Sequence, residues 1–137
     1  MQPYIVQKVT DAQGHTVKEF SPTVRRRVIS QQTSATMREL MEYTVTNGNG
    51  KNVAVAGYRV GGKSGTSQKL DSDDEKARIA SFVGVAPIDD PKLAVLVCLD
   101  EPHSWTTAGG SLSAPEVANI LHDSLEYLGI PKEATAD

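Results

Sequence analysis

Polar and apolar residues alternate over residues 4–9 and again over 16–20, with Asp11-Ala12-Gln13-Gly14 between them. Period-two alternation on both sides of a turn-forming tetrad predicts a β-hairpin within residues 1–20. Ser21-Pro22 ends it. From Ser30 the period changes: Met37, Leu40, Met41 and Val45 share one face at helical spacing, so a helix capped by Ser30 is expected over residues 30–46. Asn47-Gly48-Asn49-Gly50 should stop it with residues that tolerate left-handed backbone.

Beyond Gly57 the pattern turns to strand. Residues 58–68 read as an extended segment with small residues on one side, and Asp71-Ser72-Asp73-Asp74-Glu75 as a solvated acidic loop. Two apolar runs, 79–86 and 93–100, are joined by Pro87-Ile88-Asp89-Asp90-Pro91-Lys92. That linker is too short for a helical crossover, so the two strands must be antiparallel. Residues 93–99 show no alternation, which predicts a strand buried on both faces. A loop rich in Gly and Ser leads to Ser113-Ala114-Pro115-Glu116, which has the form of a capping box. Val117, Ile120, Leu121, Leu125 and Leu128 then form one stripe, and Gly129 and Pro131 stop the helix expected over 113–128. Hairpin, helix, three-strand meander over 58–100 and terminal helix together give an α+β class, an antiparallel sheet flanked by helices.

Composition narrows the function. A net charge of −3 leaves no broad footprint for nucleic acid, and Arg25-Arg26-Arg27 reads as a solvated segment. The single cysteine, Cys98, excludes an intramolecular disulfide and is expected to be a buried, inert thiol. No stretch approaches the ~18 apolar residues of a membrane span, and Met1-Gln2-Pro3 does not open a signal peptide. An export signal or anchor is therefore not expected within these residues. No cluster has zinc-ligand spacing, and neither a metal nor a cofactor is expected. His103 and Ser104 could be drawn into a hydrolase triad only on paper, because proximity in sequence is no evidence for that geometry. Trp105 and Tyr58 could border a cleft or simply pack.

The segment Gly57-Tyr58-Arg59-Val60-Gly61-Gly62-Lys63-Ser64-Gly65-Thr66 admits two chemistries. Gly57 through Gly62-Lys63-Ser64 fits the phosphate-binding P-loop, and Asp100 after an apolar strand imitates its magnesium acid. A P-loop, however, needs a helix starting at its lysine to aim N–H groups at phosphate. Residues 64–75 carry Gly65, several Ser and Thr and a run of acids, and cannot form an amphipathic helix. The other reading places Lys63-Ser64-Gly65-Thr66 on a strand. There Lys63 offers positive charge to a carboxylate, Ser64 and Thr66 project hydroxyls from one face, and Gly65 clears a close approach to the backbone. Exposed N–H groups on such a strand can stabilise an oxyanion.

Lys63-Ser64-Gly65-Thr66 has the K-[ST]-G-[ST] form found in penicillin-recognising enzymes. Residues 53–69 around it resemble the matching stretch of class B penicillin-binding proteins. So do Ile79-Ala80-Ser81-Phe82-Val83-Gly84-Val85-Ala86-Pro87, the run from Pro91 to Val97, and Gly109-Gly110 with Ala114-Pro115. The resemblance extends from about Pro3 to Gly129. It implies the C-terminal part of a transpeptidase domain with a partial penicillin-binding, β-lactamase-like fold. The implied activity is D,D-transpeptidation of peptidoglycan stem peptides, with acylation by β-lactams, at the extracytoplasmic face of a bacterial membrane. Lys63, Ser64, Gly65 and Thr66 are the implied substrate-binding residues, with the Thr66 N–H completing the oxyanion hole.

The family's nucleophile sits in S-x-x-K, and a second motif is S-x-N. None of the eleven serines has a lysine three residues on, and none is followed by x-Asn. Ser64 is no substitute, because neighbouring side chains on a strand point to opposite faces. No catalytic nucleophile is expected in these residues, and the expected alternative is a non-catalytic module that binds peptidoglycan peptides or a partner chain. The resemblance also places strands of an N-terminal portion, absent here, beside residues 93–100. Without them the strand would be an unprotected apolar edge, and self-association is expected.

Overall fold

The computed structural model describes residues 1–133, which divide into two compact units, residues 1–33 and the remainder. In the first, β1 (Lys8–Thr10) and β2 (Thr16–Glu19) form the expected hairpin, shorter than the alternation suggested. Asp11 shapes its turn: Oδ1 accepts the N–H groups of Gln13 and His15 at 2.9 and 2.8 Å, and Gly14 takes φ +85°. Those bonds, chiefly the one from the His15 backbone, hold the Asp11 carboxyl below its ordinary range. Arg25, Arg26 and Arg27 lie in an exposed segment without regular structure.

Helix α1 (Gln31–Thr46) opens on the predicted cap, with the Thr33 N–H donating to Ser30 Oγ at 3.0 Å. Its apolar face is only partly used: Val45 is buried, whereas Met37 and Leu40 stay exposed. The helix stops before Asn47 as expected, although none of residues 47–50 adopts positive φ. The glycines there serve a close approach instead. A Cβ on Gly48 would come 2.8 Å from the Thr44 carbonyl, where the chain folds back over the helix end.

Strands β3 (Gly61–Gln68), β4 (Arg78–Ala86) and β5 (Leu93–Asp100) form an antiparallel sheet in the order β3-β4-β5. Helix α2 (Gly109–Tyr127) covers one face of it, placing Val117, Leu121 and Leu125 against Phe82 and the small residues Ala80 and Gly84. The mixed α and β architecture agrees with the expected class. Lys63 lies inside β3 and no helix starts at it, so the P-loop reading fails. Gly61 and Gly62 serve packing rather than phosphate: added Cβ atoms would strike Ile88 and Met41 of one layer and the Phe82 ring of the other.

Three further expectations need correction. β5 is not buried on both faces. Leu93, Val95, Val97 and Leu99 turn towards α2, while Ala94, Leu96 and Cys98 are exposed, because no described element covers the second face at that edge. Cys98 is accordingly an exposed thiol. The last helix begins at Gly109 rather than Ser113, since two glycines let its first turn lie flat on β3 and β4. Ser113 is therefore no cap: it is fully buried and donates from Oγ to the Ala80 carbonyl at 2.9 Å. Tyr58 is a packing residue, buried and donating to the Ile130 carbonyl at 2.8 Å.

Candidate functional site

Among the described residues β3 pairs with β4 on one side only, which leaves its other edge open. In an antiparallel strand the N–H and C=O of one residue point to the same side, and successive residues alternate. The Gly62 carbonyl accepts a hydrogen bond from Thr44 of α1, outside the sheet, and the Ser64 carbonyl accepts one from Lys63 Nζ, so Gly62, Ser64 and, by alternation, Thr66 present their backbone groups to that edge. Gly61, Lys63, Gly65 and Ser67 correspondingly face Val85, Val83, Ser81 and Ile79 of β4. The N–H of Thr66 thus points outward, where a reacting carbonyl oxygen would need a donor.

The end of α1 and the turn after it run beside this edge and leave an open cleft of about 280 Å³. Tyr43, Thr44, Gly48, Asn49 and Gly50 form one wall, Lys63 and Ser64 the other, with Phe82 beneath. Lys63 and Ser64 both border the cleft despite their opposite faces, because the cleft lies along the strand's edge. Lys63 is exposed, and its Nζ donates to the Ser64 carbonyl at 2.7 Å, not to the hydroxyl. That geometry gives Ser64 no base. Thr44 closes the edge at its beginning, with its hydroxyl 2.5 Å from the Gly62 carbonyl and 2.8 Å from that of Met41. Its single proton can serve only one of these at a time.

The face of the strand that carries Thr66 is tied to the start of α2. The Gly109 N–H donates to Thr66 Oγ1 at 3.1 Å, and Asn52 Nδ2 donates to the Gly110 carbonyl at 2.9 Å. Ion pairs brace both ends of β3. Before it, the Arg59 guanidinium grips the Glu42 carboxylate through Nε and a terminal nitrogen at 2.6 and 2.5 Å, and Asp89 with two bonds of 2.7 Å. These hydrogen bonds, Glu42's first, raise the Arg59 pKa above its ordinary value. After it, Lys69 reaches Asp100 and Glu101, both at 3.0 Å, and its pKa is likewise raised, mainly by the Asp100 bond. Asp100, at the end of β5, therefore pairs with a lysine just beyond β3, across the intervening strand β4. His103, Ser104 and Trp105 lie exposed in the loop before α2 and do not line the cleft.

Residues 1–122 match the penicillin binding protein transpeptidase domain family. The chain belongs to that family. Its relatives and structural neighbours place it with the class B penicillin-binding proteins. It is 45 % identical over 131 residues to Stage V sporulation protein D of Bacillus subtilis, covering 93 % of this chain and 20 % of that protein. A peptidoglycan D,D-transpeptidase FtsI homolog of Chlorokybus atmophyticus is 34 % identical over 110 residues, 78 % of this chain and 16 % of that protein. Among solved structures, the D,D-transpeptidase domain of a peptidoglycan glycosyltransferase from Eggerthella lenta superposes with a TM-score of 0.81 at 31 % identity, covering 94 % of this chain and 28 % of that one. Penicillin binding protein 3 from Mycobacterium tuberculosis, complexed with ampicillin, gives 0.79 at 25 % identity, with 96 % and 31 % covered. The chain thus spans about a fifth of the length of the curated relatives named here.

In this transpeptidase-family chain the sequence located the strand but not its surroundings. No local sequence pattern marks Tyr43, Thr44 or Asn49 as residues of the cleft. They reach it because α1 ends beside β3, a placement set by the packing of Met41 and Glu42 against Gly61.

Proposed function

We propose that this chain supplies the substrate-carboxylate strand of a peptidoglycan D,D-transpeptidase that cross-links cell wall and is acylated by β-lactams. One observation carries the reading: Lys63-Ser64-Gly65-Thr66 occupies an open strand edge beside a cleft, with the Ser64 and Thr66 backbone groups turned outward. Lys63 binds the carboxylate of a stem peptide or β-lactam. The hydroxyls of Ser64 and Thr66 support it, Gly65 admits the ligand close to the backbone, and the Thr66 N–H serves the oxyanion. The nucleophile comes from an S-x-x-K segment outside these 137 residues, in a protein working at the extracytoplasmic face of the bacterial membrane. Among the described helices none is long and apolar enough to cross that membrane.

This division of labour has a direct test. The 137-residue chain incubated with a fluorescent penicillin should gain no covalent mass by intact-mass spectrometry. Stoichiometric labelling of any serine would show that the chain carries its own nucleophile. The lack of both serine motifs also favours a second reading, a module that binds stem peptides without reacting. Coexpression with an S-x-x-K segment separates the two, since acylation restored in the complex belongs only to the enzyme.

We also propose that β5 is a pairing edge. Its outer side is unpaired among the described residues, and Leu96 is 64 % exposed on its uncovered face. An apolar edge without Lys, Pro or a bulge templates further strands. It would take a strand from the rest of the protein or, in the isolated chain, from a second copy. Size exclusion with light scattering at tens of micromolar should show dimers or larger species. A monodisperse monomer with a cooperative melt would refute this.

A further inference from the structure

Helix α2 starts without a cap of its own. The residue before it is Ala108, which makes no side-chain hydrogen bond to the helix, so its first N–H groups need an acceptor from elsewhere. One of them finds it across the sheet, with the Gly109 N–H donating to Thr66 Oγ1 at 3.1 Å. The approach depends on glycine. A Cβ at 109 would sit 2.0 Å from the Ser81 carbonyl oxygen and 2.5 Å from that of Gly65, directly over the paired backbones of β3 and β4. A Cβ on Gly110 would come 3.1 Å from the Asn49 carbonyl oxygen, and Asn52 holds the Gly110 carbonyl. The start of α2 is therefore fixed between the substrate strand and the cleft wall.

We infer that Gly109 is a positioning residue, whose amide orients the Thr66 hydroxyl so that its proton is offered to the substrate carboxylate. The inference rests on the carboxylate reading of Lys63 to Thr66 and deepens it. A hydroxyl has one proton and two lone pairs. With one lone pair engaged by the Gly109 N–H, the proton is turned away from α2. The acceptors near it on that side, the Gly65 and Ser81 carbonyls, belong to paired positions of the two strands. The open side is the edge of β3, where the bound carboxylate lies beside Lys63. An unfixed threonine would spend the same proton on solvent or on a backbone carbonyl, and would lose orientational freedom on binding.

The experiment replaces the Gly109 amide by an ester, incorporating glycolic acid at this position in the intact transpeptidase, S-x-x-K serine included. This removes the N–H while adding no atom that could clash. Acylation rates are compared for a penicillin and for its methyl ester. The expected result is a loss of roughly 5-fold for the carboxylate ligand and little change for the ester. Thr66→Val should show the same selectivity, and Thr66→Ser should restore the rate. Equal losses for acid and ester would mean that Gly109 only holds α2 in place, and an unchanged acid rate would mean that the bond does nothing; either overturns the inference. An unmodified enzyme that did not distinguish acid from ester would overturn the carboxylate reading itself, and this inference with it.

Discussion

Replacing Lys63 by alanine in the intact transpeptidase should slow acylation by a carboxylate-bearing β-lactam about 10- to 150-fold. The ammonium stands at the open edge of β3, exposed, and among the described residues its only hydrogen bond is to the Ser64 carbonyl of its own strand. A ligand carboxylate entering the cleft would draw it away and replace a neutral acceptor with a charged one. Charge-assisted contacts of that kind contribute roughly 1.5–3 kcal/mol, which sets the range. The same exposure predicts almost no effect on folding, since no buried group loses a partner. Lys63→Arg should recover only part of the rate, because the planar guanidinium does not retrace the path of a compact ammonium. The measurement is stopped-flow acylation beside a thermal melt. An unchanged rate would remove Lys63 from the carboxylate site, whereas a lowered melt with a proportionate loss of rate would make it a structural residue.

Why Lys63 was visible in the sequence and its partners were not has a physical explanation. A strand's chemistry is local. The order Lys-Ser-Gly-Thr fixes which side chains alternate and where the backbone is bare, and both follow from a period of two. The cap at Ser30, the turn at Asp11 and the antiparallel meander were legible for the same reason, each being settled by residues a few positions apart. The misread features depend on what lies across space. The run Leu93-Ala94-Val95-Leu96-Val97-Cys98-Leu99 has the composition of a doubly covered strand, yet the described residues cover only one of its faces. Composition reports what a strand can tolerate, not what packs on it.

The terminal helix makes the same point at a finer scale. Ser113-Ala114-Pro115-Glu116 satisfies every local requirement of a capping box, and the helix nonetheless starts four residues earlier. The deciding facts are long-range: Gly109 fits over the Gly65–Ser81 pair, Thr66 supplies the acceptor that Ala108 lacks, and Ser113 finds the Ala80 carbonyl. A sequence window cannot contain residues 66 and 109 together. The cleft is hidden in the same way, since its walls come from α1 and β3, and Gly61 joins them by leaving room for Met41 and Glu42.

Phe82→Ala should be the most damaging single substitution in the sheet, lowering the unfolding free energy by about 3–5 kcal/mol. Phe82 is 1 % exposed on the central strand, opposite Ser64 on one side and Val97 on the other. Its ring fills the space that Gly62 leaves, where a Cβ would come 2.4 Å from the ring edge. Gly62 and Ser64, its neighbours on β3, are too small to fill the gap, which puts the cost at the upper end for a core aromatic. Against a total stability of roughly 5–15 kcal/mol, such a loss threatens the fold itself. Phe82→Leu, which retains most of the volume, should cost under about 1.5 kcal/mol. Urea unfolding at fixed protein concentration would measure both. Because the ring also floors the cleft beneath Lys63 and Ser64, the alanine variant should acylate more slowly in the intact enzyme even where it remains folded. A loss of stability below about 1 kcal/mol would mean that neighbouring side chains close over the gap, and that the geometry of β3 does not depend on Phe82.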